Sequence, residues 1–345
     1  MLEVYKLEQS YEWDEIVRSF KNYDVYWLSG YVKAFKIHGD GEPLLFYYKD
    51  ENTKGINVVM KRDVAEDKHF VENIPKSAYF DFATPYGYGG WIVEGDSTEA
   101  LFQQYFEWCK NNGIISEFIR FHPVLNNQIR SRNEYKVIDL GNTVTLDLSS
   151  QEEIWANITS KNRNMIRKAQ KAGIEIYNDR SEVLFEQFRD IYNATMKKDE
   201  AEEYYFFGNE FYKSIFNDLP ENAQLFYAVL DNEIIAASIM IYADGKLNYH
   251  LSGSEYKYRS LAPSNLLLYK AALWGCENGC KTFHLGGGVG SGEDNLFKFK
   301  KSFYRKDDLT RFSIGQKVID EDKYNELLDL RDDLHNTGYF PKYRG

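Results

Sequence analysis

The sequence predicts an α/β protein of the α+β kind, built from two tandem modules in which mixed sheets are flanked by helices. Three observations carry that reading. At 345 residues the chain is long for one core and suits two domains of ordinary size. A helix-to-strand unit occurs twice: Trp108, Cys109, Asn111 and Gly113 precede one apolar strand, and Trp274, Cys276, Asn278 and Gly279 precede another. Each copy also follows a hairpin of strands, the second of them joined by turns that strongly favour hairpins.

Composition narrows the class further. With 43% hydrophobic and 16% aromatic residues the chain has ample material for burial. A net charge of −11 argues against general affinity for nucleic acid, although a local basic patch would still serve. Three cysteines, Cys109, Cys276 and Cys280, show no paired spacing, and six histidines form no metal-binding pattern, which points to a reducing cytoplasm and no structural metal. No apolar run approaches the roughly 20 residues of a membrane span, and the amino terminus carries acids where a signal peptide would be apolar.

In chain order, Leu2 to Leu7 reads as a strand, Trp13 to Asn22 as a helix, and Tyr26 to His38 as a second, aromatic helix bearing Lys33 and Lys36. Leu44 to Tyr48 and Ile56 to Met60 alternate as an antiparallel hairpin around the polar turn Lys49 to Gly55. Asp81 to Trp91, DFATPYGYGGW, is dense in proline and glycine and reads as a rigid loop. Thr98 to Asn112 is a helix capped by Gly113, and Ile115 to Phe121 a strand closed by Pro123.

The second half opens at Ser149. Ser150 and Glu153 have capping-box spacing. In SKNRNMIRKAQKAG, Arg163, Arg167 and Lys171 recur every four residues and share a helix face, which Lys161 and Lys168 widen. Phe185 to Met196 is a further amphipathic helix, followed by Lys197, Lys198 and the tyrosine-rich Glu203 to Phe207. Leu225 to Leu230, Ile234 to Tyr242 and Lys246 to Ser252 form a meander joined by Asp231-Asn232 and Asp244-Gly245. The loop Tyr258 to Asn265, with Arg259, leads into the helix Leu266 to Asn278.

The most informative stretch is Phe283 to Tyr304, FHLGGGVGSGEDNLFKFKKSFY. Its five glycines let the backbone take positive φ and approach something bulky. Phe297, Phe299 and Phe303 then alternate with Lys298, Lys300 and Lys301, which reads as a strand with Lys300 and Lys301 on opposite faces. The glycines fit neither a dinucleotide fingerprint nor a P-loop. Arg311 to Lys317 is a last strand and Asp320 to Asp333 an acidic helix.

Phe299, Lys300, Lys301, Ser302 and Phe303 after a glycine-bearing loop resemble the carboxyl-terminal Phe-Lys-x-x-Phe signature of the FemABX peptidyltransferases, a branch of the GNAT acyltransferase superfamily. The TPYGYGG segment and the S-K-x-R-x-x-I-R-K-A-x-K run resemble recurrent FemABX segments, and the likeness extends roughly from Leu44 to Phe303. It implies two GNAT-like modules, one over residues 1–148 on the acceptor side with 305–345 returning to it, and one over 149–304 on the donor side.

The resemblance further implies transfer of an aminoacyl group from aminoacyl-tRNA, with no bound cofactor, to an amine of a peptidoglycan precursor that is nucleotide- or lipid-linked. Lys300 would stabilise the oxyanion or a donor phosphate, while Phe299 would pack on the donor's terminal base or anchor the strand. Lys33 or Lys36 would help hold the precursor's diphosphate, and Tyr86 and Tyr88 would lie beside the acceptor. Lys198 stands where the family often has a phosphate-binding arginine. Lys161, Arg163, Arg167, Lys168 and Lys171 would meet the donor's phosphates. Acetyl-CoA enzymes of the superfamily usually place R/Q-x-x-G-x-G/A at the helix start that here reads Arg259, Leu261, Ala262, Pro263 and Ser264, so both glycines are replaced and Pro263 removes a donor.

Two other functions compete: an acetyl-CoA-type N-acyltransferase acting on an amino sugar or surface-polysaccharide precursor, and a non-catalytic module that binds precursor or tRNA.

Overall fold

The computed structural model describes residues 1–181, 183–331 and 338–345. It divides into two compact units, Met1–Leu140 with Arg311–Gly345, and Gly141–Thr310. These divisions fall outside the 148/149 and 304/305 changeovers expected from sequence. Val144 and Leu146 are buried in the second unit's core, and the Thr310 hydroxyl meets that of Thr143 at 2.8 Å.

The first unit begins with β1 (Leu2–Tyr5), α1 (Ser10–Arg18) and α2 (Ser29–His38). Trp13 fixes α1 by donating from its indole to the Trp27 carbonyl at 2.8 Å, and Gly39 ends α2 at φ 105°. A long hairpin follows, β2 (Glu42–Lys49) and β3 (Thr53–Asp63), paired from Glu42 with Lys61 to Lys49 with Lys54. Asp81 to Ala83, expected as the start of a loop, belong to strand β4 (Phe80–Ala83), and β5 (Ile92–Gly95) adds to β3. After α3 (Glu99–Asn111), β6 (Ile114–Arg120) returns parallel to β4.

Strand β7 (Lys136–Asp147) carries the chain into the second unit at Gly141, and α4 (Gln151–Asn157) and α5 (Ser160–Lys171) follow. Ser150 caps α4 by accepting from the Glu153 amide at 3.1 Å, and Thr159 starts a separate α5. β8 (Glu175–Asp179), α6 (Val183–Lys198) and α7 (Asn209–Asp218) precede the meander β9 (Ala223–Leu230), β10 (Glu233–Ala243) and β11 (Lys246–Ser254). Its turns use positive φ at Asp231 and Asn232 and at Asp244 and Gly245, the backbone those residue pairs favour. Helix α8 (Pro263–Glu277), β12 (Thr282–Gly286) and α9 (Asn295–Lys301) complete the unit. The chain then returns to the first unit with β13 (Thr310–Val318) and α10 (Glu321–Asp329). The last two positions expected in that helix, Asp332 and Asp333, lie outside the described residues.

The strands of the two units are ordered alike. The first runs β1-β2-β3-β4-β6-β13, and the second β8-β9-β10-β11-β12-β7. In each, every neighbouring pair on that path is antiparallel except the fourth and fifth strands, β4 with β6 and β11 with β12, which need a helical crossover to run parallel. The crossover helices also end alike. Asn112 donates to the Trp108 carbonyl and Asn278 to the Trp274 carbonyl, each at 2.8 Å, before Gly113 (φ 70°) and Gly279 (φ 79°). Trp108 meets Phe46 of β2 edge-on at 4.9 Å and Trp274 meets Phe226 of β9 edge-on at 5.5 Å, equivalent positions in the two units. The asparagine that matches Asn278 is therefore Asn112, not Asn111.

Candidate active site

The glycine loop after β12 shapes the candidate centre. Gly286 takes φ 77°. At Gly288 a Cβ would stand 2.2 Å from the Gly292 carbonyl oxygen and 2.3 Å from Asp294 Oδ1, so only glycine fits. Asp294 then starts a helix, accepting from the Phe297 amide at 2.8 Å.

The segment read as an alternating strand is thus helix α9. A capping aspartate decides the matter, and the aromatic spacing serves a helix as well: Phe297 and Phe303 enter the core, and Phe299 meets Phe303 edge-on at 5.5 Å, four residues on.

Lys300 points inward and is only 8% exposed. Its Nζ donates to the Gly287 carbonyl at 2.6 Å and lies 6.0 Å from the centre of the Tyr249 ring. Burial pulls its pKa down to about 8, partly offset by the Asp294 carboxylate. The group is still mainly cationic at neutral pH, and its proton is easily moved. Lys301 does something else, donating to the Tyr304 carbonyl at 3.1 Å and lying 3.4 Å from Asp307.

Helix α5 adjoins this centre, because the Thr159 amide that precedes it donates to the Ser302 carbonyl at 3.0 Å. Lys161, Arg167, Lys168 and Lys171 are exposed and Arg163 half-buried. The guanidinium carbons of Arg163 and Arg167 stand 5.9 and 5.2 Å from the ring centre of Trp155, a residue that sequence spacing did not mark. The positive face therefore surrounds an aromatic surface.

At the start of α8, Ala262 is buried yet takes left-handed φ 60°, a conformation that costs an alanine on the order of 1 kcal/mol. Pro263 has no N–H, and the Asn265 and Leu266 amides donate to the Ala262 carbonyl at 3.2 and 3.4 Å. Few amides are left there for a diphosphate. Lys198 of α6 and Arg259 each lie 5.6 Å from the exposed Tyr256 ring, so two predicted cations meet on an aromatic that the sequence reading passed over. Lys198 also pairs with Asp199 at 2.7 Å.

In the first unit, Lys33 is exposed on α2 and Lys36 pairs with Glu42 at 2.6 Å. Tyr86 stacks on Phe35 at 5.6 Å and its carbonyl accepts from the Tyr31 hydroxyl at 2.6 Å, which seats its loop on α2. Tyr88 packs edge-on to Tyr26 and His122 at 5.5 Å each. Beneath lies a pair unforeseen in the sequence: His122 Nε2 is 2.9 Å from Asp24 Oδ2, both fully buried, while His122 Nδ1 accepts from the Leu125 amide at 3.3 Å. The imidazole is thus held at both nitrogens. Arg120 donates to the Gly87 carbonyl at 2.9 Å and covers Phe312 at 4.8 Å.

Comparison with known proteins agrees with this architecture. Residues 159–301, from α5 to the end of α9, match the family model described as an acetyltransferase (GNAT) domain. No curated protein sequence matches the chain. Among solved structures, FemX is similar with a TM-score of 0.69 at 14% identity, over 95% of this chain and all of that one. The C-terminal domain of an Agrobacterium fabrum protein provisionally assigned as a lysylphosphatidylglycerol synthetase gives 0.53 at 14% identity, over 90% of this chain and 91% of its own. L-PGS from Bacillus licheniformis gives 0.52 at 14% identity, over 82% and 86%. Residues 159–301 are thus similar to a GNAT-type acetyltransferase domain, and the fold of the chain is similar to that of FemX. No described helix is long and apolar enough to cross a membrane.

Proposed function

We propose that this acyltransferase moves an aminoacyl group from aminoacyl-tRNA to an amine of a peptidoglycan precursor in the cytoplasm. The observation that carries the reading is Lys300, a buried cation anchored to the glycine loop within the acyltransferase domain. An aminoacyl ester is already activated, so holding the reactants and stabilising the oxyanion can supply most of the acceleration. The acceptor amine bonds to the ester carbonyl carbon, the bond to the ribose oxygen breaks, and the amine's proton ends on that oxygen. Lys300 meets the negative charge as it forms on the carbonyl oxygen. Its bond to Gly287 uses one of three ammonium donors and orients the other two.

The basic face of α5 with Trp155 supports a polyanionic, base-bearing donor. In the first unit, Lys33, Lys36, Tyr86 and Tyr88 are the proposed contacts to the precursor, and in the second Lys198 and Arg259 are proposed to meet its phosphates. A specific observation favours one alternative, an acetyl-CoA-type enzyme acting on an amino sugar or surface-polysaccharide precursor: the matching family model is described as an acetyltransferase. Incubating purified protein with charged tRNA and, separately, with acetyl-CoA, and following donor loss with candidate precursors, decides between them. Consumption of acetyl-CoA alone would overturn the proposal.

A further inference from the structure

One carboxylate ties the glycine loop to the helix that carries Lys300. Asp294 Oδ1 accepts from the Phe297 amide at 2.8 Å, an ordinary cap, and Oδ2 accepts from the Val289 amide at 3.3 Å, five residues back across the loop. Capping needs only the first bond. The second closes the loop around Gly288, where a Cβ would lie 2.3 Å from Asp294 Oδ1. Gly287, the next residue back, supplies the carbonyl that receives Lys300 Nζ. Both ends of the Lys300 anchorage, the helix it stands on and the oxygen it bonds, are thus referred to one side chain.

We propose that Asp294 is a positioning residue for Lys300, holding the Gly287 carbonyl and the first turn of α9 in register and keeping a negative charge beside the ammonium. As a statement about catalysis it rests on the reading of Lys300 as the cation of acyl transfer. The electrostatics agree. The Phe297 amide chiefly, then Val289 and Lys300, hold the Asp294 carboxyl below the ordinary range, so it is charged wherever the enzyme works. Asp294 in turn opposes the burial that lowers the Lys300 pKa, and Tyr249 of β11 is a further titratable group facing that ammonium among the described residues.

The test uses the full chain with Asp294→Ser, which retains a capping oxygen, and Asp294→Asn, which keeps shape without charge. The Lys300 titration midpoint is read by competitive acetylation across pH with mass spectrometry, alongside kcat, KM and thermal melting. Both variants are expected to fold, to move the midpoint below the parent value of about 8, and to lower kcat about tenfold with little change in acceptor KM. An unchanged midpoint in both folded variants overturns the proposal whatever the activity. Lys300→Ala is measured beside them: full turnover in Lys300→Ala with a displaced midpoint in the Asp294 variants would sink the functional reading and leave the positioning role standing.

Discussion

Lys300 donates from Nζ to the carbonyl oxygen of Gly287 at 2.6 Å, joining helix α9 to the glycine loop that follows β12. A buried ammonium fixed in this way needs no reorganisation when charge appears beside it, which is what makes a preorganised donor effective. Truncation to Ala should lower turnover by about a hundredfold, the scale of losing one oxyanion donor, with little effect on acceptor binding. In the proposed role the cation is the working form, and with its pKa at about 8 the rate should fall as pH rises through that value. Lys301→Ala is the control. Its Nζ closes the end of α9 on the Tyr304 carbonyl, so its loss should lower the melting temperature and spare turnover. A crippled Lys301→Ala enzyme beside an active Lys300→Ala enzyme would reverse the assignment.

A second prediction concerns the first unit. Glu117 is fully buried, accepting from Asn57 Nδ2 at 3.0 Å and from the Tyr135 hydroxyl at 2.6 Å, and burial pushes its pKa from 4.5 up to about 7. Between those values the folded state holds the proton that the unfolded state has lost. Stability should therefore decline as pH rises from 4.5 to 7, by on the order of 3 kcal/mol from this group. Glu117→Gln removes the titration while keeping an acceptor and a donor. Thermal melts of the two proteins should diverge in the variant's favour as pH rises through this window, and parallel melting curves would show that Glu117 stays ionised.

Much of this fold was legible because its signals are local. Asp231-Asn232 and Asp244-Gly245 dictate their own turns, Ser150 its own cap, and the repeated Trp and Asn-Gly spacing marks two helices that end alike. Signals that depend on distant partners were not legible. Asp24 and His122 meet although they stand 98 positions apart in the chain, and Glu117 owes its raised pKa to burial by distant parts of the chain, with Asn57 and Tyr135 as its hydrogen-bond partners. Helix α9 departs from the strand expected there because seven residues of alternating Phe and Lys suit either period, and Asp294, the residue that settles the choice, looks in sequence like a loop acid. Lys300 itself is marked by its motif, but its burial, its carbonyl partner and its lowered pKa follow from the helix.

The α5 face gives a third prediction. Arg163 and Arg167 flank Trp155, so charge reversal of both should weaken binding of the tRNA acceptor end and flatten its dependence on salt, by about 0.7 in log–log slope for each single-strand phosphate no longer neutralised. Trp155→Ala should weaken binding without changing that slope, since stacking releases no counterions. Affinity unchanged in both variants, with folding intact, would return the face to ordinary solvent.

The donor is tested at the start of α8. A diphosphate cradle needs backbone amides pointing outward from a helix start. Here Pro263 has none, and the Asn265 and Leu266 amides are directed to the Ala262 carbonyl. The left-handed turn at Ala262 survives, but with a methyl group where a bare backbone would allow close approach. Calorimetric titration with acetyl-CoA should accordingly show no micromolar binding. Ala262→Gly should restore little, because the proline and the two committed amides remain, whereas the double change Ala262→Gly with Pro263→Ala returns both the space and one donor and should bind measurably tighter than the parent. Micromolar affinity in the parent chain would mean that the loop opens to accept CoA, and the acetyl-CoA reading would then displace aminoacyl-tRNA.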